Sequence, residues 1–170
     1  AMPAHLEEVA KQLLEEICCG SCSLWPLEPE RMKEPEFRAS FYRLAHDGMW
    51  AAQERFINRI GNVEPMAPGE EALYRTAMDT IAWQMLQGQL CYARRFFREQ
   101  RQPSLSNSNL ESVVAAARHY RAQEPDSMPL IADLTTFLQI GDIFLADPYK
   151  GFSIVEVKEG HKNHEIGNLA

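Results

Sequence analysis

Apolar residues recur at helical spacing through the first two thirds of the chain. Residues 5–19 carry them three and four positions apart, which predicts an amphipathic helix, and Gly20 provides a plausible end for it. Residues 36–60 repeat the pattern and predict a second helix or a pair of helices. A third periodic segment covers residues 69–101, with a break expected near Gly88. These segments predict a helical N-terminal region.

The pattern changes after Pro103. A run rich in serine and asparagine at residues 104–109 marks a loop or linker. Ser108 and Glu111 match a capping box, in which two side chains satisfy free amides at the start of a helix. We therefore predict a helix over residues 109–123.

Beyond this helix the composition shifts to β-branched and aromatic residues. Three short segments have the composition of strands: Leu134–Leu138, Ile143–Leu145 and Phe152–Val157. The last two are joined by Asp-Pro-Tyr-Lys-Gly at residues 147–151, which is typical of a turn because proline sets φ early and glycine frees it at the end. The segments predict an antiparallel β-meander.

The whole chain therefore has the pattern of an α+β protein. We predict a helical region at residues 2–103 and an α/β unit at residues 104–170, although 170 residues could also form one compact domain. A content of 45% hydrophobic and 24% charged residues is typical of folded, soluble proteins. The sequence contains neither an apolar run of roughly 20 residues nor a secretory signal, so the expected location is the cytoplasm, with no membrane partner.

Charge is distributed unevenly along the chain. The net charge of −7 opposes a general attraction to nucleic acid, but the segment from Arg94 to Arg121 carries six arginines against two glutamates. This basic band could contact phosphate groups, or it could be an ordinary solvated helix face. The candidate nucleic-acid-binding residues are Arg94, Arg98, Arg101, Arg118 and Arg121.

Three of the four cysteines cluster near the end of the first predicted helix. Cys19 and Cys22 have the spacing of half a metal site or of a redox pair. A structural zinc site needs a second pair of soft ligands, and Cys91 with a scattered histidine is a poor substitute. Ordinary reduced thiols are therefore the simpler interpretation.

The strongest chemical signal lies around the predicted hairpin. If Ala146 pairs with Phe152, Asp142 falls opposite Glu156, and directly opposed residues share one face of a sheet. Lys158 lies two residues beyond Glu156 and is expected on the same face, because side chains alternate along a strand. The predicted register therefore brings two carboxylates and one ammonium group together.

Two opposed carboxylates destabilise a sheet unless something neutralises them. A Mg²⁺ or Mn²⁺ ion held by Asp142 and Glu156 would do so, since such ions bind through one or two carboxylates, waters and phosphates. Lys158 could then orient or deprotonate an attacking water, which is the chemistry of phosphodiester hydrolysis. Alternatively, the two carboxylates are solvated strand ends, and the lysine neutralises Glu156.

This hairpin resembles the signature of a known nuclease superfamily. Gly141 and Asp142 precede an apolar strand and a turn, and the next strand reads Ile-Val-Glu-Val-Lys at residues 154–158. The combination resembles the acidic-residue and E-x-K signature of the PD-(D/E)XK nucleases, with glycine in place of the motif's proline. The resemblance implies a restriction-endonuclease-like unit in which a helix precedes a three-stranded meander, and a further helix and strand complete the core.

The resemblance also implies roles for individual residues. Asp142 and Glu156 would bind the metal ion and, with Lys158, form the catalytic set of a metal-dependent nuclease. Many members add a glutamate from the preceding helix, for which Glu111 is the candidate, although its capping-box role is the simpler explanation. The alternative function is a non-catalytic module that uses a nuclease-like hairpin to bind nucleic acid or protein.

Few residues follow the E-x-K motif. Residues 159–170 are expected to begin a helix but not to supply the remaining strand, which leaves the unit truncated at its C-terminus. A partner chain or a second copy could complete the sheet, because an unpaired strand edge favours association. His161 and His164 could reach the site as proton carriers or phosphate ligands, or they could lie at a solvated helix start.

Overall fold

The structure is a computed structural model that describes residues 3–98, 101–107, 109–158 and 165–168. Within them five α-helices come first and four β-strands follow, which confirms the α+β class. None of the described helices has both the length and the apolar character needed to span a membrane. Short 3₁₀ helices occur at Cys22–Leu24, Arg31–Lys33, Leu105–Asn107 and Ala132–Leu134.

Three helices begin in the first of two compact units, which comprises residues 1–77. Helix α1 spans Ala4–Cys19 and ends at Gly20, as the sequence predicts. Helix α2 spans Pro35–Ile60 as one continuous helix, and its proline lies in the first turn, where a missing N–H costs nothing. Helix α3 spans Glu70–Met85 and continues into the second unit.

Glycine allows α1 and α2 to approach closely. A Cβ atom at Gly48 would overlap the carbonyl oxygen of Glu16, and one at Gly20 would overlap that of Leu44. Phe56 is fully buried in this unit, and its ring stacks on Tyr74 with the centroids 4.8 Å apart. The unit is therefore held by direct backbone contact between helices as well as by apolar side chains.

The second unit comprises residues 78–170. Helix α3 ends in a turn where Gln87 and Gly88 both have positive φ, which confirms the predicted break. Helix α4 then spans Leu90–Phe96, and helix α5 spans Leu110–Gln123. Positive φ at two successive residues stops α-helical hydrogen bonding, so the periodic segment forms two helices.

The predicted boundary near Pro103 lies inside this second unit. The segment around it hydrogen-bonds to residues 132–139: the side-chain amide of Gln102 donates to the carbonyl oxygens of Ala132 and Leu138. The Gln139 N–H donates to the carbonyl oxygen of Phe96 over 2.9 Å. The sequence composition predicts a loop here, and these contacts attach the loop to residues 132–139.

The sheet is an antiparallel meander in the order β1-β2-β3-β4. Strand β1 spans Met128–Ile131, β2 spans Ile143–Asp147, β3 spans Gly151–Glu156 and β4 spans Glu165–Asn168. All four residues of β1 are buried, and α5 lies against this strand. The helix α5 followed by three antiparallel strands confirms the predicted order of elements up to residue 156.

The strand predicted at Leu134–Leu138 is wrong. Thr135 Oγ1 donates to the Ala132 carbonyl and accepts from the N–H of Leu138, while Thr136 bonds through its N–H and hydroxyl to the carboxylate of Asp79. Threonine side chains that bond the backbone offer an alternative to a strand ladder. The first strand forms earlier, where an internal proline is tolerated because β1 is an edge of the described sheet.

The expectation for the end of the chain also needs correction. Residues 165–168 do not continue a helix but form β4, which pairs antiparallel with β3 from Ser153↔Asn168 to Glu156↔Glu165. The β3 edge that was expected to need a partner chain is therefore covered by this chain's own strand. The positions of His161 and His164 lie outside the described residues.

Candidate active site

The β2–β3 hairpin has the register that the sequence predicts. Ala146 pairs with Phe152, and the ladder continues to Ile143↔Val155. The rings of Phe144 and Phe152 stack 5.4 Å apart on one face, while Val155 is fully buried on the other. Apolar packing on both faces fixes this register, because a shift by one residue would reverse every side chain.

Asp142 lies just beyond the regular ladder, so it is not paired with Glu156 as a strand residue. Its N–H donates to the carbonyl oxygen of Val155 over 2.9 Å, and its Oδ2 accepts from the N–H of Val157 over 2.6 Å. Gly141 makes this path possible, since its φ is +68° and a Cβ there would overlap the Ile154 side chain. The Asp142 backbone and carboxylate are therefore bound to the residues on either side of Glu156.

Glu156 is the last residue of β3 and its side chain is exposed. Its carboxylate forms neither a hydrogen bond nor an ion pair within the described part of the chain. Lys158 lies two residues past the strand end and is also exposed. Strand alternation, on which the same-face prediction relied, therefore does not extend to Lys158.

The donor atoms of this hairpin fit a hard divalent cation better than a soft one. Asp142 is half-buried, and its Oδ2 accepts a hydrogen bond from the N–H of Val157. Glu156 contributes an exposed carboxylate. Over the residues that the structure describes, no group of three or more His, Cys, Asp or Glu side chains could hold a metal. Two carboxylates completed by water and phosphate are a usual arrangement for Mg²⁺, whereas zinc sites have three or four protein ligands.

Glu111 lies in the first turn of α5 and is exposed. The N-cap residue of this helix is Asn109, which places Glu111 one position too early for the capping box predicted with Ser108, itself outside the described residues. No hydrogen bond or ion pair joins Glu111 to Asp142 among the described residues. The structure thus gives Glu111 no contact with the hairpin carboxylates.

The arginines of the basic band have different surroundings. Arg94 is exposed on α4, and Arg118 is exposed on α5. Arg121 has a structural role, because its guanidinium donates to the carbonyl oxygens of Pro125 and Ser127 just after α5 ends. This guanidinium is therefore already engaged with the loop that follows α5.

Arg98 and Arg101 line a polar cleft of about 240 Å³ in the second unit. Both are exposed, and within the described part of the chain neither guanidinium has a hydrogen-bond or ion-pair partner. The side-chain oxygen of Gln139 accepts from the Arg98 N–H over 2.6 Å, which fixes the arginine segment beside the chain leading to β2. The other lining residues are Gln102, Pro103, Asp133, Leu138 and Gly141.

This cleft lies next to one candidate metal ligand, Asp142, along the chain. Gly141 lines the cleft and precedes Asp142 directly. Sequence reasoning identified Arg98 and Arg101 but missed Gln102 and Gln139, whose side chains join the two segments. These glutamines lie in non-periodic loops, so only tertiary contacts reveal what they do.

A second polar site lies in the first unit. The Arg59 guanidinium forms an ion pair with Glu70, at 2.5 Å between Nε and Oε1, and also donates to the carbonyl oxygens of Glu64 and Pro65. The hydrogen bond from Arg59 lowers the pKa of Glu70, with a smaller contribution from the Ala67 N–H. These groups satisfy one another, which indicates that they hold the α2–α3 connection.

Comparisons of the chain with protein-family models, with curated proteins and with solved structures find no match. Asp142, Glu156 and the cleft that holds Arg98 and Arg101 are the features that point to chemistry.

Proposed function

We propose that the protein is a Mg²⁺-dependent nuclease that hydrolyses phosphodiester bonds in nucleic acid. Asp142 and Glu156 bind the metal ion, which Mn²⁺ can replace, and Lys158 assists the attacking water. The observation that carries the proposal is a pair of hydrogen bonds: the Asp142 N–H donates to the Val155 carbonyl, and the Asp142 carboxylate accepts from the Val157 N–H. They hold the Asp142 carboxylate at the end of β3, next to the residue that separates Glu156 from Lys158.

Each residue then has a defined task. A Mg²⁺ ion held by Asp142 and Glu156 would make water more acidic and would stabilise the negative charge that develops on the phosphate oxygens. Asp142 is held by the backbone, so its carboxylate is oriented before a metal ion arrives, which reduces the entropic cost of binding. Glu156 is exposed and free to turn toward the ion, and Lys158 orients the attacking water or helps to remove its proton.

The order of elements supports the same proposal. Helix α5 followed by β1, β2 and β3 is the order that the PD-(D/E)XK resemblance implies, with the acidic residue before β2 and the E-x-K at the end of β3. The antiparallel β4 differs from the helix and strand that the resemblance implies after the motif. The support therefore extends from α5 to Lys158 and does not include the final strand.

The cleft beside Gly141 supports a nucleic-acid substrate. Arg98 and Arg101 place two positive charges there, and guanidinium groups bind phosphate oxygens through paired N–H donors. A strand whose phosphates contact these arginines would pass close to Asp142. We propose nucleic acid as the partner and the cytoplasm as the location, with Arg94 and Arg118 as outer contacts.

One observation favours a second candidate, a non-catalytic module that binds nucleic acid or protein. The Asp142 carboxylate already has a structural function, because it accepts the N–H of Val157 after β3 ends. A binding module would need this contact and the arginine cleft, but it would not need a metal ion. The two candidates differ in whether phosphodiester bonds are broken.

Cleavage assays with labelled single- and double-stranded DNA and RNA in Mn²⁺ or Mg²⁺ test the proposal. Lys158→Ala is expected to lower the rate by about 100-fold or more, the usual cost of removing a general acid or base. Lys150→Ala is the matched control, because Lys150 is an exposed lysine at the turn end of the same hairpin. Equal cleavage by wild type and Lys158→Ala would indicate a contaminating nuclease, and binding without cleavage would support the second candidate.

A further inference from the structure

Cys19 and Cys22 lie at the two ends of a tight turn. Helix α1 ends at Cys19, and the next residues have φ/ψ of −53°/−39° at Gly20 and −97°/8° at Ser21. These angles are close to those of a type I turn, which brings the first and fourth Cα atoms within about 7 Å. A disulfide requires a Cα separation of about 4.4–6.8 Å, so the backbone already has a shape that permits one.

The backbone of this turn packs against helix α2, and its two cysteines are exposed. Gly20 is in close backbone contact with Leu44 of α2, and Ser21 is only 5% exposed. Cys19 and Cys22 are both exposed free thiols. Gly20 therefore holds the turn against α2, and both thiols are accessible to a reactant.

The sulfur atoms are close enough to interact. A side-chain hydrogen bond with Cys19 is the main cause that raises the pKa of the Cys22 thiol, and burial contributes less. Cys22 therefore keeps its proton more readily. Because Cys22 forms its thiolate less readily, we place the first attack on Cys19.

We propose that Cys19 and Cys22 form a redox-active dithiol that closes to an intramolecular disulfide by exchange with a small disulfide of the glutathione class. The Cys19 thiolate attacks one sulfur of the small disulfide, whose S–S bond breaks and releases one thiolate. After Cys22 loses its proton, its thiolate attacks the Cys19 sulfur and releases the second thiolate. The protein dithiol is oxidised by two electrons, and the small disulfide is reduced to two thiols.

This site is independent of the proposed nuclease. It lies in the first unit, involves none of the residues of the β2–β3 hairpin and is assayed without nucleic acid or metal ion. The turn is already formed in the reduced chain, so closure needs only rotation about the side-chain bonds. Cys91, which is exposed in the second unit, provides an internal reference thiol.

Oxidised glutathione added in one equivalent to the reduced full chain tests the proposal. Intact mass should fall by two hydrogen atoms, and the thiol titre should fall from four to two per chain. Peptide mapping should place the new bond between Cys19 and Cys22. In Cys22→Ser, Cys19 should instead retain glutathione as a stable mixed disulfide, because no second thiol can displace it.

Cys18→Ser and Cys91→Ser are the matched controls, and both should still lose two thiols. All the replaced cysteines are exposed, so the serine variants should melt within about 2 °C of the wild type. The proposal would be overturned if glutathione were found to equal extents on Cys19, Cys22 and Cys91 of the wild type. A bond mapped to Cys18 and Cys22 would overturn it equally.

Discussion

Replacement of Asp142 separates the structural role of its carboxylate from its proposed metal role. Oδ2 accepts a hydrogen bond of 2.6 Å from the N–H of Val157 at a half-buried position. Asparagine keeps an oxygen acceptor there and removes the negative charge, whereas alanine removes both. Asp142→Asn and Asp142→Ala are therefore a matched pair in which one variant tests charge and the other tests the hydrogen bond.

The expected loss of stability follows from the kind of hydrogen bond. One with a charged acceptor contributes about 1.5–3 kcal/mol, and a neutral one about 0.5–1.5 kcal/mol. For a chain of this length, 1 kcal/mol shifts the melting temperature by about 2–4 °C. Asp142→Ala should therefore melt roughly 3–12 °C below wild type, and Asp142→Asn should lose clearly less.

Thermal unfolding followed by circular dichroism, with and without Mg²⁺, measures both roles. A ligand at 100 times its Kd stabilises the folded state by about 2.7 kcal/mol, so saturating Mg²⁺ should raise the melting temperature of wild type by several degrees. Neither variant should show this rise. If Asp142→Ala melts together with wild type, the contact with Val157 contributes nothing; if Mg²⁺ stabilises Asp142→Asn as strongly as wild type, Asp142 is not a ligand.

Three further predictions concern packing, binding and pH. Gly48→Ala should destabilise the protein by about 1–3 kcal/mol in urea unfolding, because its Cβ overlaps a backbone carbonyl of α1, whereas Gly61→Ala meets atoms only at 3.7 Å and should be tolerated. Replacing Arg98 and Arg101 with alanine should reduce the slope of log K against log salt by about 1.4–1.8 in a nucleic-acid binding titration. The lowered pKa of Glu70, caused chiefly by its arginine partner, gives stability that is present above pH 4.5 and lost as pH falls through the lowered value; Glu70→Gln should flatten that decline in acid melting curves.

A specific result would contradict each of these three predictions. Equal urea midpoints for Gly48→Ala and Gly61→Ala would mean that the helices can separate at no cost. Arg38→Ala, which removes an exposed arginine from the first unit, should leave the salt slope almost unchanged, so an equal effect would assign binding to overall charge. A Glu70→Gln variant whose melting temperature falls with acid as steeply as that of wild type would exclude Glu70 as the titrating group.

Short-range patterns were sufficient for much of the fold. Helical periodicity predicted α1 and the break at Gly88, and the Pro/Gly turn predicted the hairpin with Ala146 paired to Phe152. Both kinds of signal depend on residues that are near one another in the chain. The failures involve contacts between distant residues, such as the bonds from Thr136 to Asp79 that replace a predicted strand.

The candidate site shows the same division. Residue types and strand parity were enough to single out Asp142, Glu156 and Lys158 and to suggest a metal. The alternation of side chains holds only as far as the β2–β3 ladder, however. The position of Asp142 depends on a positive φ at Gly141 and on hydrogen bonds to β3 and to the residue that follows it. The sequence could not predict those bonds, because they form only after the hairpin has brought the two strands together.

By itself the sequence therefore determined the α+β class, the hairpin register and the residues with chemical potential, since these follow from local periodicity and turn chemistry. Only the tertiary structure decided where Asp142 points, that Arg121 binds carbonyls while Arg98 lines a cleft, and that β4 covers β3. The physical reason is that hydrogen-bond acceptors for these groups come from segments remote in sequence. Their availability depends on packing, which no local pattern encodes.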